Sequence, residues 1–314
     1  MINRTVFVFC LMFVSPALFA DSGGDGLAER PTSAANAEIK YTTAADLAVQ
    51  AIERHGGGVE IGTGEWDGLA VRVVFPYGSK ADPGLRGIGA LKELRTICLA
   101  RTEATDAGLT DIKGLAKLQV LNLSFTHVTD AGLTHLTGLD NLQRLDLSST
   151  KVTDAGMKQL CLNALWSLQT LTLSDTAVTD AGLKEIGALN NLRILNLRRT
   201  NATDAGIKDL AGLQQLVTID LDGTKVTDAG IKDLATLPQL GALYLYKTNI
   251  TDASLMELSK VKALRYVRLG ETCVTVAGLA AFKKALPNCL VDERGGALRP
   301  PPSDHALTGA GPPS

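Results

Sequence analysis

One segment recurs eight times along the chain, at a nearly constant spacing. It reads Leu-x-x-Leu-x-Leu-x-x-Thr-x-Val-Thr-Asp-Ala-Gly-Leu-x-x-Leu, and its clearest copy begins at Leu118. The Thr that opens the Thr-Asp pair lies at Thr105, Thr129, Thr153, Thr179, Thr203, Thr227, Thr251 and Thr275. The spacing is 24 residues, except for one step of 26 residues between Thr153 and Thr179. A fixed period of this length predicts a solenoid, because each short unit buries its apolar face only against its neighbours.

Each copy contains the pattern of one strand followed by one helix. The Leu-x-Leu pair predicts a short strand with two inward side chains, and such strands must stack as a parallel sheet. The Thr-Asp pair precedes a helical period such as Leu183, Ile186 and Leu189, so Thr or Asp is expected to cap that helix. The Ala-Gly that follows lets neighbouring helices approach closely. The predicted fold class is an α/β solenoid with a parallel concave β-sheet and short convex helices.

The two ends of the chain differ from the repeats. Residues 1–20 resemble a secretory signal peptide, with Arg4, an apolar stretch over residues 6–14, and small residues at Ala17 and Ala20. An uncleaved membrane anchor is the alternative interpretation. We expect residues 21–40 to be a flexible segment and residues 292–314, which are rich in Pro and Gly, to be a disordered tail.

Residues 41–90 are predicted to form an N-terminal cap. Their apolar spacing favours a helix over residues 44–55, followed by two short strands. Asp82 lies 24 residues before Asp106 and is also followed by Gly-Leu two residues later, so the cap includes a degenerate first repeat. A terminal repeat is expected to be atypical because one of its faces meets solvent. The regular solenoid is predicted over residues 91–291.

Composition narrows the classes of partner. The net charge is -2, with 31 basic and 33 acidic residues and no run of Lys or Arg, which argues against nucleic acid. The cysteines beyond residue 20 are scattered at Cys98, Cys161, Cys273 and Cys289. This spacing favours thiols, with disulfides as the alternative. No segment after residue 20 predicts an integral membrane span.

The repeat resembles the leucine-rich repeat family over residues 91–291. Its Val-Thr-Asp-Ala-Gly-Leu segment is similar to the type found in F-box-associated and bacterial exported leucine-rich repeat proteins. In that family the ninth position is usually Asn or Cys, which bonds backbone groups in a continuous ladder. A Thr hydroxyl both donates and accepts, so it is suited to the same role at Thr102, Thr126, Thr150, Thr176, Thr200, Thr224, Thr248 and Thr272. The resemblance implies a horseshoe whose concave sheet binds other macromolecules.

The resemblance to the F-box subgroup stops at the repeats. Proteins of that subgroup carry an N-terminal helical segment that docks onto a ubiquitin ligase. The sequence before the first repeat of this chain shows one helix and a Gly-rich stretch. The ubiquitin function is therefore kept only as the alternative hypothesis.

The candidate partner-binding residues lie late in the concave sheet. Alternation along each strand places the residues beside the two core leucines on that face, and in the early copies these are mostly small or uncharged. Tyrosines and arginines, which often carry binding energy, gather in the later copies. The predicted site comprises Arg198, Arg199, Asp220, Asp222, Tyr244, Tyr246, Lys247, Tyr266 and Arg268. The alternative is purely structural: Arg198 and Asp222 neutralise each other, and Tyr244 and Tyr246 stack as a ladder.

No arrangement of residues predicts catalysis, a cofactor or a metal. The chain has no Gly-x-Ser-x-Gly nucleophile elbow to accompany the His-Gly-Gly-Gly at His55, and no His-Glu-x-x-His. A row of aspartates at Asp106, Asp130, Asp154, Asp180, Asp204, Asp228 and Asp252 could attract calcium, but a capping role explains each one.

The sequence therefore predicts a non-enzymatic, exported recognition module. We expect it to bind a protein, or a glycan, on the concave face of the solenoid. The alternative is a substrate-recruiting adaptor of a ubiquitin-ligase-like complex. A structural component of the cell envelope without a specific ligand is the third hypothesis.

Overall fold

The computed structural model describes residues 43–61, 70–163 and 165–294. The predicted signal peptide, the predicted flexible segment and residues 295–314 of the predicted tail lie outside these ranges. No helix within the described ranges has the length and apolar character needed to cross a membrane.

Within the described residues, eleven strands form one sheet in which the strands follow chain order. The first pair is antiparallel, and every later pair is parallel and in register with its neighbours. The strands are β1 Gly58–Ile61, β2 Ala70–Val74, β3 Thr96–Cys98, β4 Val120–Asn122, β5 Arg144–Asp146, β6 Thr170–Thr172, β7 Ile194–Asn196, β8 Thr218–Asp220, β9 Ala242–Tyr244, β10 Tyr266–Arg268 and β11 Leu290–Asp292. The predicted repeat solenoid with a parallel sheet is confirmed.

Short helices lie on the other side of the core; the first precedes β1, and the others connect successive strands from β2 onward. They are α1 Ala44–Arg54, α2 Ala81–Gly84, α3 Asp106–Leu109, α4 Asp130–Leu133, α5 Asp154–Leu162, α6 Asp180–Ile186, α7 Asp204–Asp209, α8 Asp228–Leu234, α9 Asp252–Leu258 and α10 Val276–Ala285. The two additional residues of the 26-residue repeat lengthen α5 to nine residues, against seven in α6. The outer side therefore absorbs the insertion without changing the register of β5 with β6.

The core is a stack of aliphatic layers. The inward leucines of each strand, such as Leu121 and Leu123 in and after β4, have no exposed surface. Burying a Leu side chain stabilises the folded state by about 1.5–3 kcal/mol, so each 24-residue unit depends on the two units beside it. At the N-terminal end, Ala48 and Ile52 of α1 are buried in the same core. A Thr43–Asp46 capping box begins that helix.

The recurrent Thr-Asp pair joins neighbouring repeats. In copies from Thr105 to Thr251 the Thr hydroxyl caps its helix by accepting from the backbone N–H two residues later. Each Asp instead accepts two hydrogen bonds from the Thr of the next copy. For example, the Thr129 backbone N–H donates to Asp106 Oδ1 at 2.8 Å, and the Thr129 hydroxyl donates to Asp106 Oδ2 at 2.6 Å. The expectation that Asp serves as a cap was wrong, because stacking brings the next Thr within reach of the carboxylate.

We call this arrangement the Asp–Thr ladder. It has eight rungs: Asp82–Thr105, Asp106–Thr129, Asp130–Thr153, Asp154–Thr179, Asp180–Thr203, Asp204–Thr227, Asp228–Thr251 and Asp252–Thr275. The degenerate copy at Asp82 takes part, as the 24-residue spacing suggests. The last copy has Val276 in place of Asp, at the point where no further Thr-Asp copy follows. The ladder therefore ends where it has no next Thr to bind.

The glycine two residues after each Asp makes room for the ladder. A Cβ atom on Gly132 would lie 2.3 Å from Oδ1 of Asp106, which is too close for any side-chain carbon. The copy at Ser254 is the exception, and its hydroxyl donates a short hydrogen bond to Oδ1 of Asp228. The predicted close approach of neighbouring helices is thus made through the carboxylates.

The ninth-position threonines do not link repeats. The Thr126 hydroxyl donates to the Leu123 carbonyl of its own repeat at 2.6 Å, and the other seven threonines make the equivalent bond. The residue just before each of them has a left-handed backbone, with φ between 53° and 69°. Each Thr therefore closes a tight turn at the end of its strand.

The four cysteines within the described ranges are free, which confirms the prediction of thiols. The Cys161 thiol donates to the Glu185 carbonyl across neighbouring repeats. Burial raises the pKa of the Cys289 thiol to about 11, so this thiol stays protonated at neutral pH.

Candidate partner-binding surface

The predicted site residues come together on strands β8, β9 and β10 and in the turns that follow β7, β8 and β9. Asp220, Tyr244 and Arg268 are register partners on β8, β9 and β10. Asp222 and Tyr246 follow two residues later in their repeats, and Tyr266 begins β10. We call the set Arg198, Asp220, Asp222, Tyr244, Tyr246, Tyr266 and Arg268 the C-terminal concave patch.

Asp222 is the centre of the patch, although it is only 2% exposed. Its Oδ1 accepts from the Tyr246 backbone N–H at 2.7 Å, and its Oδ2 accepts from Arg268 Nη1 at 2.6 Å. Arg198 Nη1 lies 3.9 Å from the same oxygen, so the predicted Arg198–Asp222 pair exists, with Arg268 as the closer partner. Burial raises the Asp222 pKa, and the Arg268 guanidinium opposes that shift. Asp222 therefore fixes the positions of groups around it and offers almost no surface to a partner.

The tyrosines are held at their rings and at their hydroxyls. Tyr244 and Tyr266 have ring centroids 5.0 Å apart, and the Arg268 guanidinium lies 4.6 Å from the Tyr246 ring centroid. The stacking partner of Tyr244 is thus a tyrosine of the next strand, where the sequence suggested Tyr246 of its own repeat. The Tyr246 hydroxyl donates to Glu271 at 2.5 Å.

Tyr266 also makes a bond at its hydroxyl, which donates to Asp292 at 3.0 Å. Burial and this bond raise the Tyr266 pKa to about 12. Since Arg294 bonds the same carboxylate and lowers the Asp292 pKa, the Tyr266 hydroxyl remains a donor to an ionised acceptor.

Asp220 has a role in the turn at the end of β8. Its Oδ1 accepts from the Asp222 backbone N–H at 2.9 Å, and Asn196 makes the same bond to Arg198 in the preceding repeat. Burial raises the Asp220 pKa to about 7, and the nearby Asp222 charge adds to the shift. This hydrogen bond within the turn was not predicted from the sequence. An Asn or Asp at the same register position of several copies could have indicated it.

Arg199 and Lys247 flank the patch at the left-handed position of their turns, with φ of 53° and 58°. Both are exposed. Arg199 pairs with Asp175 of the preceding repeat at 3.4 Å. These two cations form a rim beside the half-buried tyrosines.

The profile of the family described as Leucine Rich repeat matches residues 114–136, 139–161 and 167–187. Taken with the eleven-strand solenoid, this match decides the family. The chain is a leucine-rich repeat protein.

Two solved structures are similar to this leucine-rich repeat protein. An internalin C2 of Listeria monocytogenes has 25% identity and a TM-score of 0.52, over 73% of this chain and 92% of that chain. An internalin (InlF) of the same organism has 16% identity and a TM-score of 0.50, over 71% of this chain and 74% of that chain. No curated protein sequence matches the chain. The leucine-rich repeat fold indicates a protein-interaction module.

The leucine-rich repeat protein has a second aromatic group that the sequence reasoning missed. The Arg101 guanidinium lies 4.6 Å from the Phe125 ring centroid and 5.7 Å from that of Tyr77. Tyr77 and Phe125 are each at least half exposed. The sequence feature that could have revealed this group is Phe125 itself. It occupies a turn position where most other copies have a polar or charged residue, such as Ser149 or Asp175.

Among the described residues, no group of three or more His, Cys, Asp or Glu side chains is arranged to hold a metal ion. Each aspartate of the Asp–Thr ladder has both carboxylate oxygens in bonds to the next repeat. The ladder accounts for the row of aspartates without a cation.

Proposed function

We propose that this chain is an exported recognition module that binds a protein partner through the C-terminal concave patch. The observation that carries the proposal is the fixed geometry of three tyrosines and Arg268 over adjacent strands. Tyr and Arg side chains are the commonest sources of binding energy at protein interfaces.

Rigidity of the patch favours affinity. Immobilising a flexible side chain on binding costs about 0.5–1.5 kcal/mol, and here that ordering precedes binding. Arg268 is held by Asp222, Tyr246 by Glu271, and Tyr266 by Asp292. Around the buried Asp222 the patch thus offers aromatic faces, and the cations Arg199 and Lys247 lie at its rim, which suits a partner with an apolar centre and a polar rim.

The earlier strands offer a contrast that supports the assignment. Except for Arg144 and Asp146 on β5, the outward residues of β3 to β6 are small or uncharged, such as Thr96, Val120 and Thr172. These side chains give little contact area and carry no charge. A partner that used the whole sheet equally would gain little from them, so the later strands are the better candidate.

Export rests on residues 1–20, with their basic start, apolar middle and small residues near position 20. Mass measurement of the mature protein tests it. Loss of the first 20 or so residues together with recovery outside the cytoplasm is expected. Retention of these residues in a cytosolic protein would favour the adaptor of a ubiquitin-ligase-like complex instead.

The binding proposal is tested by affinity capture from cell-envelope extract, with residues 21–314 as bait. Tyr244→Ala combined with Tyr266→Ala removes the stacked pair. Thr172→Ala combined with Val120→Ala is the matched control, because these residues occupy the same two register positions on earlier strands. Circular dichroism and thermal unfolding establish that both variants fold.

We expect a partner that the control variant retains and the tyrosine variant loses by at least tenfold. Equal capture by both variants would move the site away from the patch. Capture of nothing by the unaltered bait would favour a structural component of the envelope.

A further inference from the structure

A polar cleft of about 480 Å³ lies away from the concave patch, along the edge where strands β5 to β8 begin. Ligand sites typically enclose about 300–1,000 Å³, so its volume suits a small ligand. Two columns of side chains line it. The column just before the strands contributes Gln143, Gln169 and Arg193, and the outer column contributes Asn141, Ser167, Asn191 and Gln215.

The outer column is fixed by bonds to backbone carbonyls. Asn141 Nδ2 donates to Ala116 and Asn191 Nδ2 donates to Trp166, each at 2.7 Å. The Ser167 hydroxyl donates to the Asp140 carbonyl at 2.7 Å. These bonds hold the two asparagines in place, and their Oδ1 atoms remain as acceptors.

The inner column is open to a ligand. The side chains of Gln143, Gln169 and Arg193 form no hydrogen bond or ion pair with any residue that the structure describes. An amide both donates and accepts, whereas a guanidinium only donates. The cleft therefore offers a balanced set of donors and acceptors together with one unpaired positive charge.

This set of groups matches a sugar chain better than other ligands. Every sugar hydroxyl both donates and accepts, as the amides do, and Arg193 suits one carboxylate. No aliphatic or aromatic side chain lines the cleft, so it lacks the apolar anchor of a protein interface. One cation is too few for a nucleic-acid backbone, which needs several phosphate contacts. The repeat step of roughly 4.8 Å is close to the advance per residue of an extended β-1,4-linked sugar chain.

We propose that this cleft binds a short oligosaccharide that carries a uronic acid. Gln143 and Gln169 bind its hydroxyls, and Arg193 binds its carboxylate. The site is separate from the C-terminal concave patch, so this proposal does not depend on the proposed protein partner.

The test uses the full chain and three probes: β-1,4-linked triglucuronic acid, cellotriose and citrate. Cellotriose has the same backbone without carboxylates, and citrate has carboxylates without sugar rings. Binding is measured by calorimetry and by the fluorescence of Trp166, with Trp66→Phe removing the other of the two tryptophans. Trp166 is the tryptophan beside the cleft, because its backbone carbonyl accepts from Asn191 and the next residue, Ser167, lines the cleft.

Triglucuronic acid is expected to bind. Arg193→Gln is expected to lower the affinity roughly tenfold or more, because a charged hydrogen bond is lost. Gln143→Ala and Gln169→Ala should each weaken it roughly two- to tenfold. Gln119→Ala is the matched control, since Gln119 has the same repeat position outside the cleft, and it should leave the affinity unchanged.

Three results would overturn the proposal: equal binding of citrate, equal binding of cellotriose, or an affinity that Arg193→Gln leaves unchanged. All these positions are at least partly exposed, so the variants are expected to fold, and thermal unfolding checks that they do. Capture of the protein partner should not change in any of them, which separates this test from that of the concave patch.

Discussion

The Asp–Thr ladder and the C-terminal concave patch both depend on aspartate, in different ways. In the ladder the same residue recurs every repeat, and each carboxylate binds the backbone and hydroxyl of the next Thr. In the patch Asp222 occurs once, and its carboxylate holds Arg268 two strands away. A residue that recurs at one repeat position is explained by the stacking of repeats. A residue that differs from those at the same position of the other repeats is available for a role specific to this protein.

The largest expected effect is on the ladder. Asp130→Ala removes both hydrogen bonds to Thr153, and we expect the free energy of unfolding to fall by about 2–4 kcal/mol. Val276→Asp is the matched control, because it adds the ladder residue where no further copy follows, and it should change stability by less than about 0.5 kcal/mol. Urea unfolding followed by circular dichroism measures both. Equal effects would mean that the carboxylates act only within their own helices.

The next effect concerns Asp220 and depends on pH. Because burial raises its folded pKa to about 7 while the unfolded value is near 3.8, the folded state keeps its proton more firmly. Below about pH 4 both states are protonated, and no stability is lost. As pH rises through the interval between these pKa values, stability falls, and above pH 7 the full loss is present.

Asp220→Asn removes this charge and keeps the acceptor that Asn196 supplies in the neighbouring repeat. We therefore expect the variant to be more stable than the unaltered protein by about 2–3 kcal/mol at pH 8 and similar to it at pH 4. Unfolding curves at the two pH values measure the difference. A variant that is less stable at pH 8 would show that the ionised carboxylate supports the patch.

A smaller effect tests the space beside the ladder. Gly132→Ala places a Cβ against Oδ1 of Asp106 and should cost about 1–2 kcal/mol. Gly132→Ser is expected to cost less, although Ser is larger, because Ser254 shows that a hydroxyl at this position can bond the ladder carboxylate. Gly212→Ala, which meets nothing within 4 Å, is the control. The reverse order for Ala and Ser would contradict this explanation of the glycines.

Most of the fold and part of the site could be predicted from the sequence. The 24-residue period predicted the stacked sheet, and period-two alternation placed Tyr244, Tyr266 and Arg268 on one face. The ladder was not predicted, because its hydrogen bonds join two copies and a single copy does not reveal them. Its signals were present in the replacement of the last Asp by Val276 and in the glycine that follows each Asp.

Two features of the site depend on three-dimensional packing. Asp222 lies in an outward register position, yet Arg268 and Tyr246 cover it, and alternation says nothing about such coverage. Arg101 and Phe125 lie in left-handed turns, outside the strand pattern, so alternation did not assign them to any face.

The most direct test measures stability and partner capture on the same two variants. We predict that Asp130→Ala lowers the urea midpoint and still captures the partner at temperatures where it is folded. Tyr244→Ala with Tyr266→Ala should keep its midpoint near that of the unaltered protein and lose capture at least tenfold. If the tyrosine variant retained full capture while Asp130→Ala abolished it in the folded state, the division between the repeated ladder and the concave patch would be wrong.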